Sequence, residues 1–178
     1  MMLIQKAKKK RFNLIQGKRE IRELIDRLPN DDECFKFVSS GGFSSACFIS
    51  FISDITKINS LHISTFHCGK KEAQLLHSLK KSGLLDYVEF AVCSLMKNDK
   101  GDYGYFDILK TICDTNGWTL RVKKNHSKVL LFDTEMGKFV LETSSNLNEN
   151  PKMEQFSFEK DSELYNFYLN AIFKDDNE

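Results

Sequence analysis

Proline is nearly absent and glycine scarce, at 2 and 9 residues out of 178, which excludes collagen-like and Pro/Gly-rich disordered chains. No internal repeat and no Pro/Gly/Ser linker interrupts the sequence, so no motif has a second copy and the length suits one compact domain. No apolar run approaches the roughly 20 residues of a membrane span. Met1-Met2-Leu3-Ile4 passes at once to Gln5 and Lys6, too short an apolar stretch for a signal peptide. The five cysteines, Cys34, Cys47, Cys68, Cys93 and Cys113, include no CxxC pair and lie in or beside apolar segments. That is the pattern of buried, reduced thiols in a cytoplasmic protein. A surplus of one charge is missing too: 26 Lys+Arg against 25 Asp+Glu leave a net +1, so no global field recruits a polyanion or an anionic membrane.

What the chain does have is apolar mass. Hydrophobic residues make up 41%, and 15 of the aromatics are Phe, which contribute burial and no polar handle. The charge is also unevenly placed. Between Met1 and Arg22 stand Lys6, Lys8, Lys9, Lys10, Arg11, Lys18, Arg19 and Arg22 against Glu20 alone, while the stretch after Asn148 is acidic. Such an arm can hold phosphates, or it can be a solvated, fraying terminus, and the second reading is the simpler one.

Periodicity divides the chain into alternating elements. An amphipathic helix is predicted from about Gly17 to Leu28, stopped by Pro29-Asn30. Cys34 to Val38 reads as a strand, Phe43 to Ile58 as a buried helix, Leu61 to Phe66 as a strand and Lys70 to Ser82 as a helix closed by Gly83. Val88 to Cys93 is a strand, Tyr105 to Thr115 a helix, and Trp118 to Val122 a strand. Strands alternating with helices predict an α/β fold, with a mixed, mostly parallel sheet sandwiched between helices. Residues 1–33 are expected to be a basic segment with one helix packed on a domain of residues 34–178.

After Val122 the pattern changes. His126–Asp133 and Phe139–Asn146 are strand-like runs joined by Thr134-Glu135-Met136-Gly137-Lys138, which predicts a hairpin. A last strand near Gln155 to Phe158 and a helix from about Ser162 to Phe173 close the chain. Alternation puts His126, Lys128, Leu130 and Phe132 on one face, so an imidazole and an ammonium lie side by side where the strand starts. Pairing about Glu135-Met136 places Lys128 near Glu142 or Thr143 and His126 near Ser144 or Ser145, with Asn146 just beyond. A base, a fixed cation, hydroxyls and a carboxamide at one sheet end suit a phosphate: Lys128 neutralises its oxygens, Asn146 and a serine donate to them, and His126 attacks phosphorus or shuttles a proton. No metal or other cofactor is required.

The run His126-x-Lys128-x-x-x-x-Asp133 followed by Ser144-Ser145-Asn146 resembles the HxKxxxxD and GSxN motifs of the phospholipase D superfamily, over roughly Cys34 to Phe173. The resemblance implies that His126 is the nucleophile forming a phosphohistidine, or the acid that protonates the leaving group. It further implies that Lys128 and Asn146 bind the phosphate together with Ser144 and Ser145, and that Asp133 is structural or orienting. Glu154 would be the acid that hydrogen-bonds a catalytic histidine. Thr143 stands where the family has glycine, and Met153 precedes Glu154 with no asparagine at the neighbouring family position. Short members with a single such motif are typically nucleases that complete the site as homodimers, and a monomer would be inert. The implied protein is a homodimeric, metal-independent phosphodiesterase acting on DNA or RNA and not on a membrane. The alternatives are a catalytically inactive nucleic-acid-binding or assembly module, and hydrolysis or transfer at a phospholipid headgroup.

Other features have plainer readings. His62 and His77 fall on packing or surface positions. His67-Cys68 are adjacent, point opposite ways on extended backbone and have no partners at ligand spacing, so they do not make a zinc site. Ser39-Ser40-Gly41-Gly42-Phe43-Ser44-Ser45 could offer backbone N–H groups to an anion, but without a P-loop lysine it reads better as a structural turn.

Overall fold

Between Glu33 and Ser39 buried Phe35 and Phe37 alternate with Lys36 and Val38, the period-two pattern of a strand that packs on one face. A computed structural model describes residues 7–16, 21–98 and 104–174. In it the strands are β1 (Lys9–Ile15), β2 (Glu33–Ser39), β3 (Ile58–Thr65), β4 (Leu85–Cys93), β5 (Thr119–Lys123), β6 (Val129–Thr134), β7 (Gly137–Thr143) and β8 (Glu154–Lys160). The helices are α1 (Ala46–Ile55), α2 (Lys70–Lys81), α3 (Ser94–Asn98), α4 (Tyr105–Asn116) and α5 (Ser162–Tyr168), the last running on as a π-helical turn, Leu169–Phe173.

The strands form one eight-stranded sheet in the order β1-β2-β8-β7-β6-β3-β4-β5. β1 pairs with β2, β3 with β4 and β4 with β5 in parallel, and the other ladders are antiparallel. β6 and β8 therefore run against the other strands, and the sheet is mixed, with three parallel ladders and four antiparallel ones. One face carries the main core, where Phe48 of α1 meets Phe37, Phe43, Phe156 and Phe158 edge-on or tilted and α2 and α4 add Leu76 and Leu109. On the other face Tyr165 and Phe173 cover Ala91, Val129, Leu131 and Val140. Among the described residues no helix is long and apolar enough to cross a membrane.

The N-terminal part departs from expectation. In place of a helix from Gly17 to Leu28 there is one 3-10 turn, Ile21–Glu23; residues 17–20 lie outside the described residues. Pro29 disfavours helical backbone at Leu28, and the Arg27 guanidinium is drawn away to Glu33, with bonds of 2.7 and 2.8 Å. Lys9–Ile15 is not a loose arm but an edge strand, so the segment before Cys34 is built into the sheet. Three of its cations are engaged: Lys8 lies 2.8 Å from Glu159 and 2.7 Å from Asp161, Lys9 lies 2.9 Å from Asp32, and Arg11 lies 3.4 Å from Glu33.

This clamp sets an acid limit on stability. The Arg27 fork and the Asn30 N–H hold the Glu33 carboxyl down at about 2. A carboxylate depressed in the folded state stabilises it fully above its ordinary range near 4.5 and loses that contribution as pH falls toward about 2. The urea midpoint is therefore expected to drop across that window, and Glu33→Gln should flatten the drop while lowering the neutral-pH plateau.

Candidate functional site

The strand directions gather the carboxyl ends of β2, β3, β4, β5 and β7 and the amino ends of β6 and β8 at one rim. In open α/β sheets that rim is where crevices for ligands form. Three linkers meet there: 40–45 after β2, 124–128 before β6, and 144–153 between β7 and β8.

The hairpin pairs Val129 with Glu142 through to Thr134 with Gly137, closing on a two-residue turn at Glu135-Met136. Thr143 N–H donates to the Lys128 carbonyl at 3.1 Å, so Lys128 sits opposite Thr143. The strand starts at Val129 and not, as expected, at His126. Asn125 explains the difference: its Oδ1 accepts from Ser127 N at 3.0 Å and Ser127 Oγ at 2.7 Å. Its Nδ2 donates to Ala91 O at 2.8 Å and Ser64 Oγ at 2.9 Å. A side chain that bonds backbone two residues on diverts that backbone from the ladder. Ser64 and Ser127 close the network, with hydroxyls 2.6 Å apart.

His126 is consequently exposed, its ring edge-on to Phe66 with centroids 5.4 Å apart. Lys128 Nζ donates to the His126 carbonyl at 2.8 Å and stands 3.3 Å from His126 Nδ1. The imidazole and ammonium are side by side, as alternation predicts. Burial lowers the Lys128 pKa, and the charge of Glu154 opposes that shift.

Across the rim, Ser144 donates a short hydrogen bond to the Glu154 carboxylate and accepts from Gln155 N at 3.1 Å. Asn150 Nδ2 donates to the other Glu154 oxygen at 2.6 Å. Within this chain Glu154 is thus held by Ser144 and Asn150, and what it offers the Lys128 side is charge. Asn146 lies in the same loop, its carbonyl accepting from Ser145 Oγ at 2.9 Å and Ser45 Oγ at 3.4 Å. Its Oδ1 is buried with no hydrogen-bond partner among the described residues.

Two expected site residues stand elsewhere. Ser145 is 1% exposed, and its N–H donates to Thr143 Oγ1 at 2.9 Å, so it braces the loop and does not face the rim. The Thr143 side chain, anomalous against the motif, is the acceptor that fixes this turn. Asp133 lies near the hairpin turn, opposite Ser60 and Lys138. Five residues of strand put it roughly 16 Å from Lys128, and its charge acts on His62 and Tyr165.

The 39–45 loop is a structural turn, the reading the sequence favours. Gly41 has φ +108° and backs onto the Pro151 carbonyl, and Gly42 N–H donates to Asn150 O at 2.7 Å. The loop therefore fixes Asn150, which fixes Glu154. Sequence reasoning missed Asn125, Ser64 and Asn150. Asn125 had a local signal, an asparagine two before a serine at a strand start, whereas Ser64 and Asn150 depend on tertiary pairing.

No family model matches the sequence, and no curated protein matches it. Among solved structures the chain is similar to a phosphatidylserine synthase of Haemophilus influenzae, with TM-score 0.50 and 18% identity over 78% of this chain and 36% of that one. It is also similar, with TM-score 0.44 and 10% identity over 70% of this chain and 34% of the other, to a mutant of yeast tyrosyl-DNA phosphodiesterase, a match too loose to carry an argument. The chain spans about a third of the length of these structures. The synthase likeness shows the fold: it is phospholipase D-like.

Proposed function

We propose that this chain, whose fold is phospholipase D-like, is a phosphodiesterase, and specifically a nuclease whose active centre is assembled from two copies. The observation that carries the reading is the exposed His126 imidazole beside the Lys128 ammonium, at the strand ends, with the Ser144–Glu154–Asn150 set opposite. His126 Nε2 attacks phosphorus, forming a P–N bond as the P–O bond breaks. The leaving oxygen takes a proton from the partner's His126, which then deprotonates the water that cleaves the P–N bond. Lys128 and the Asn146 amide bind the non-bridging oxygens, and the Glu154 charge helps keep Lys128 protonated against its burial.

One observation favours the non-catalytic alternative, a nucleic-acid-binding or assembly module. With Lys128 donating to Nδ1, a neutral His126 carries its proton on Nε2, which suits the proton donor of the proposed reaction but leaves the nucleophile's place unfilled when both copies hold the same tautomer. The test uses purified protein with EDTA on labelled single- and double-stranded DNA and RNA, on a small aryl phosphodiester and on phospholipid vesicles. Cleavage of a nucleic acid and of the small diester is expected. Turnover of phospholipid alone would move the assignment to lipid, and salt-sensitive binding without any turnover would move it to the module.

A further inference from the structure

The face of the sheet turned toward α5 is covered over β7, β6, β3 and β4. Over β1, β2 and β8 the same face is open, and there Phe12 is 77%, Leu14 53% and Val38 42% exposed. These residues form a register-matched strip. Phe12 pairs with Lys36, Lys36 with Ser157, and Leu14 with Val38, which pairs with Gln155, while alternation sets Lys10 on the same face as Phe12. Lys10, Phe12, Lys36, Glu142, Gln155 and Ser157 are among the residues that line a cleft of about 560 Å³.

The charge of the strip is positive in effect. Of the acids on this face, Glu159 pairs with Lys8, whereas Glu142 meets only a neutral group, the Tyr168 hydroxyl, so its charge counts against Lys10 and Lys36 and leaves an excess of one cation. Among the described residues no carboxylate comes within ion-pair distance of Lys10 or Lys36; Lys36 Nζ donates to Ser157 Oγ at 2.6 Å.

We infer that this strip is a binding platform for an unpaired polynucleotide strand, with a base stacked on Phe12 and phosphates on Lys10 and Lys36. An open aromatic face between cations is what sequence-tolerant single-strand binding uses, and a duplex keeps its base faces inside the stack. A second copy of the chain is a poorer occupant, because lysine is depleted from protein interfaces and here one stands at the centre. The strip also leads somewhere. The row through Val38 and Gln155 ends at the rim beside Ser144, whose N–H donates to the Gln155 carbonyl at 3.1 Å; Lys128 belongs to the other face, in line with Leu130 and Phe132, so a strand reaches it by crossing the rim, over four strand spacings, about 19 Å, from β1 to β6. Only this last step, delivery of the strand to His126, rests on the proposed nuclease reading.

The experiment measures fluorescence anisotropy of a labelled oligothymidylate of about 12 nucleotides, using full-length His126→Ala protein so that nothing is cut. Adding Phe12→Ala is expected to weaken binding at least about tenfold, Phe12→Tyr to restore it, and Lys10→Gln to lower the salt slope by about 0.7. A blunt hairpin duplex should bind more weakly and respond little to Phe12→Ala. Phe12→Ala with native His126 is expected to turn over the small aryl diester at the wild-type rate. If oligothymidylate affinity is unchanged by Phe12→Ala, the platform is overturned, whatever the diesterase assay gives. Loss of self-association on Phe12→Ala, with unchanged oligonucleotide affinity, overturns it in favour of a second copy. If no diester is ever cleaved but the Phe12-dependent binding stands, the platform survives and the nuclease reading alone fails.

Discussion

His126→Ala is expected to lower the turnover of a phosphodiester by about four orders of magnitude or more. The size follows from the two roles given to one residue: in a two-copy centre the substitution removes nucleophile and proton donor together. The fold should not notice, because the ring is exposed and its contacts are Phe66 and Lys128 at the rim, so a thermal melt should stay within about 2 °C, the shift of well under 1 kcal/mol in a chain of this size. The two-copy requirement adds a sharper result. Excess His126→Ala protein, equilibrated with wild type, should suppress wild-type activity, since each mixed centre lacks one imidazole. Turnover that falls only in proportion to dilution would show that one chain suffices, and turnover retained by the variant itself would remove His126 from the chemistry.

Gly41→Ala should cost roughly 3 kcal/mol. Gly41 has φ +108°, and an added Cβ would lie 2.2 Å from the Pro151 carbonyl oxygen. That oxygen is backbone and cannot swing aside, so either the 40–45 loop or the 150–153 turn must move. Gly83→Ala is the control: φ is +76°, yet nothing lies within 4 Å of its added Cβ, and about 1 kcal/mol of backbone strain is all it should lose. A melting shift for Gly41→Ala of roughly 6–12 °C, against a few degrees for Gly83→Ala, is the expected contrast. Activity should fall with it, because Asn150 accepts from Gly42 through its carbonyl and holds Glu154 through its amide. Equal shifts for the two variants would mean that the 41–151 contact does not hold the site together.

Local pattern and tertiary pairing explain which of these features the sequence discloses. Lys70–Lys81 and Tyr105–Asn116 repeat apolar residues at helical spacing and end at Gly83 and Gly117, so their ends are visible from sequence. The hairpin is readable because Gly137 marks a turn between two apolar runs, and its register then follows by counting. β1 is hidden, since an edge strand with Lys9, Lys10, Arg11 and Phe12 all exposed has no buried face to alternate with. The expected helix before Pro29 shows the converse: Ile21, Leu24, Ile25 and Leu28 keep helical spacing and three of them are buried, but in irregular chain anchored by Arg27. At the site, His126, Lys128, Ser144 and Asn146 are legible from motif and spacing. The inward turn of Ser145 rests on the Thr143 hydroxyl and the capture of Glu154 on the Asn150 side-chain amide, and Asn150 is itself placed by Gly42 of a distant segment; the distance of Asp133 is the length of its own strand.

The place of β8 bears on how the molecule comes into being. β1 and β2 join the remaining strands only through β8, which is inserted between β2 and β7. During synthesis Phe35 and Phe37 must therefore wait, with one ladder of β2 unfilled, until Glu154–Lys160 has left the ribosome. A naked edge beside large apolar side chains invites the wrong strand. Two nascent chains could each lend β8 to the other, and that exchange would make an intertwined pair from the same contacts that finish the single chain.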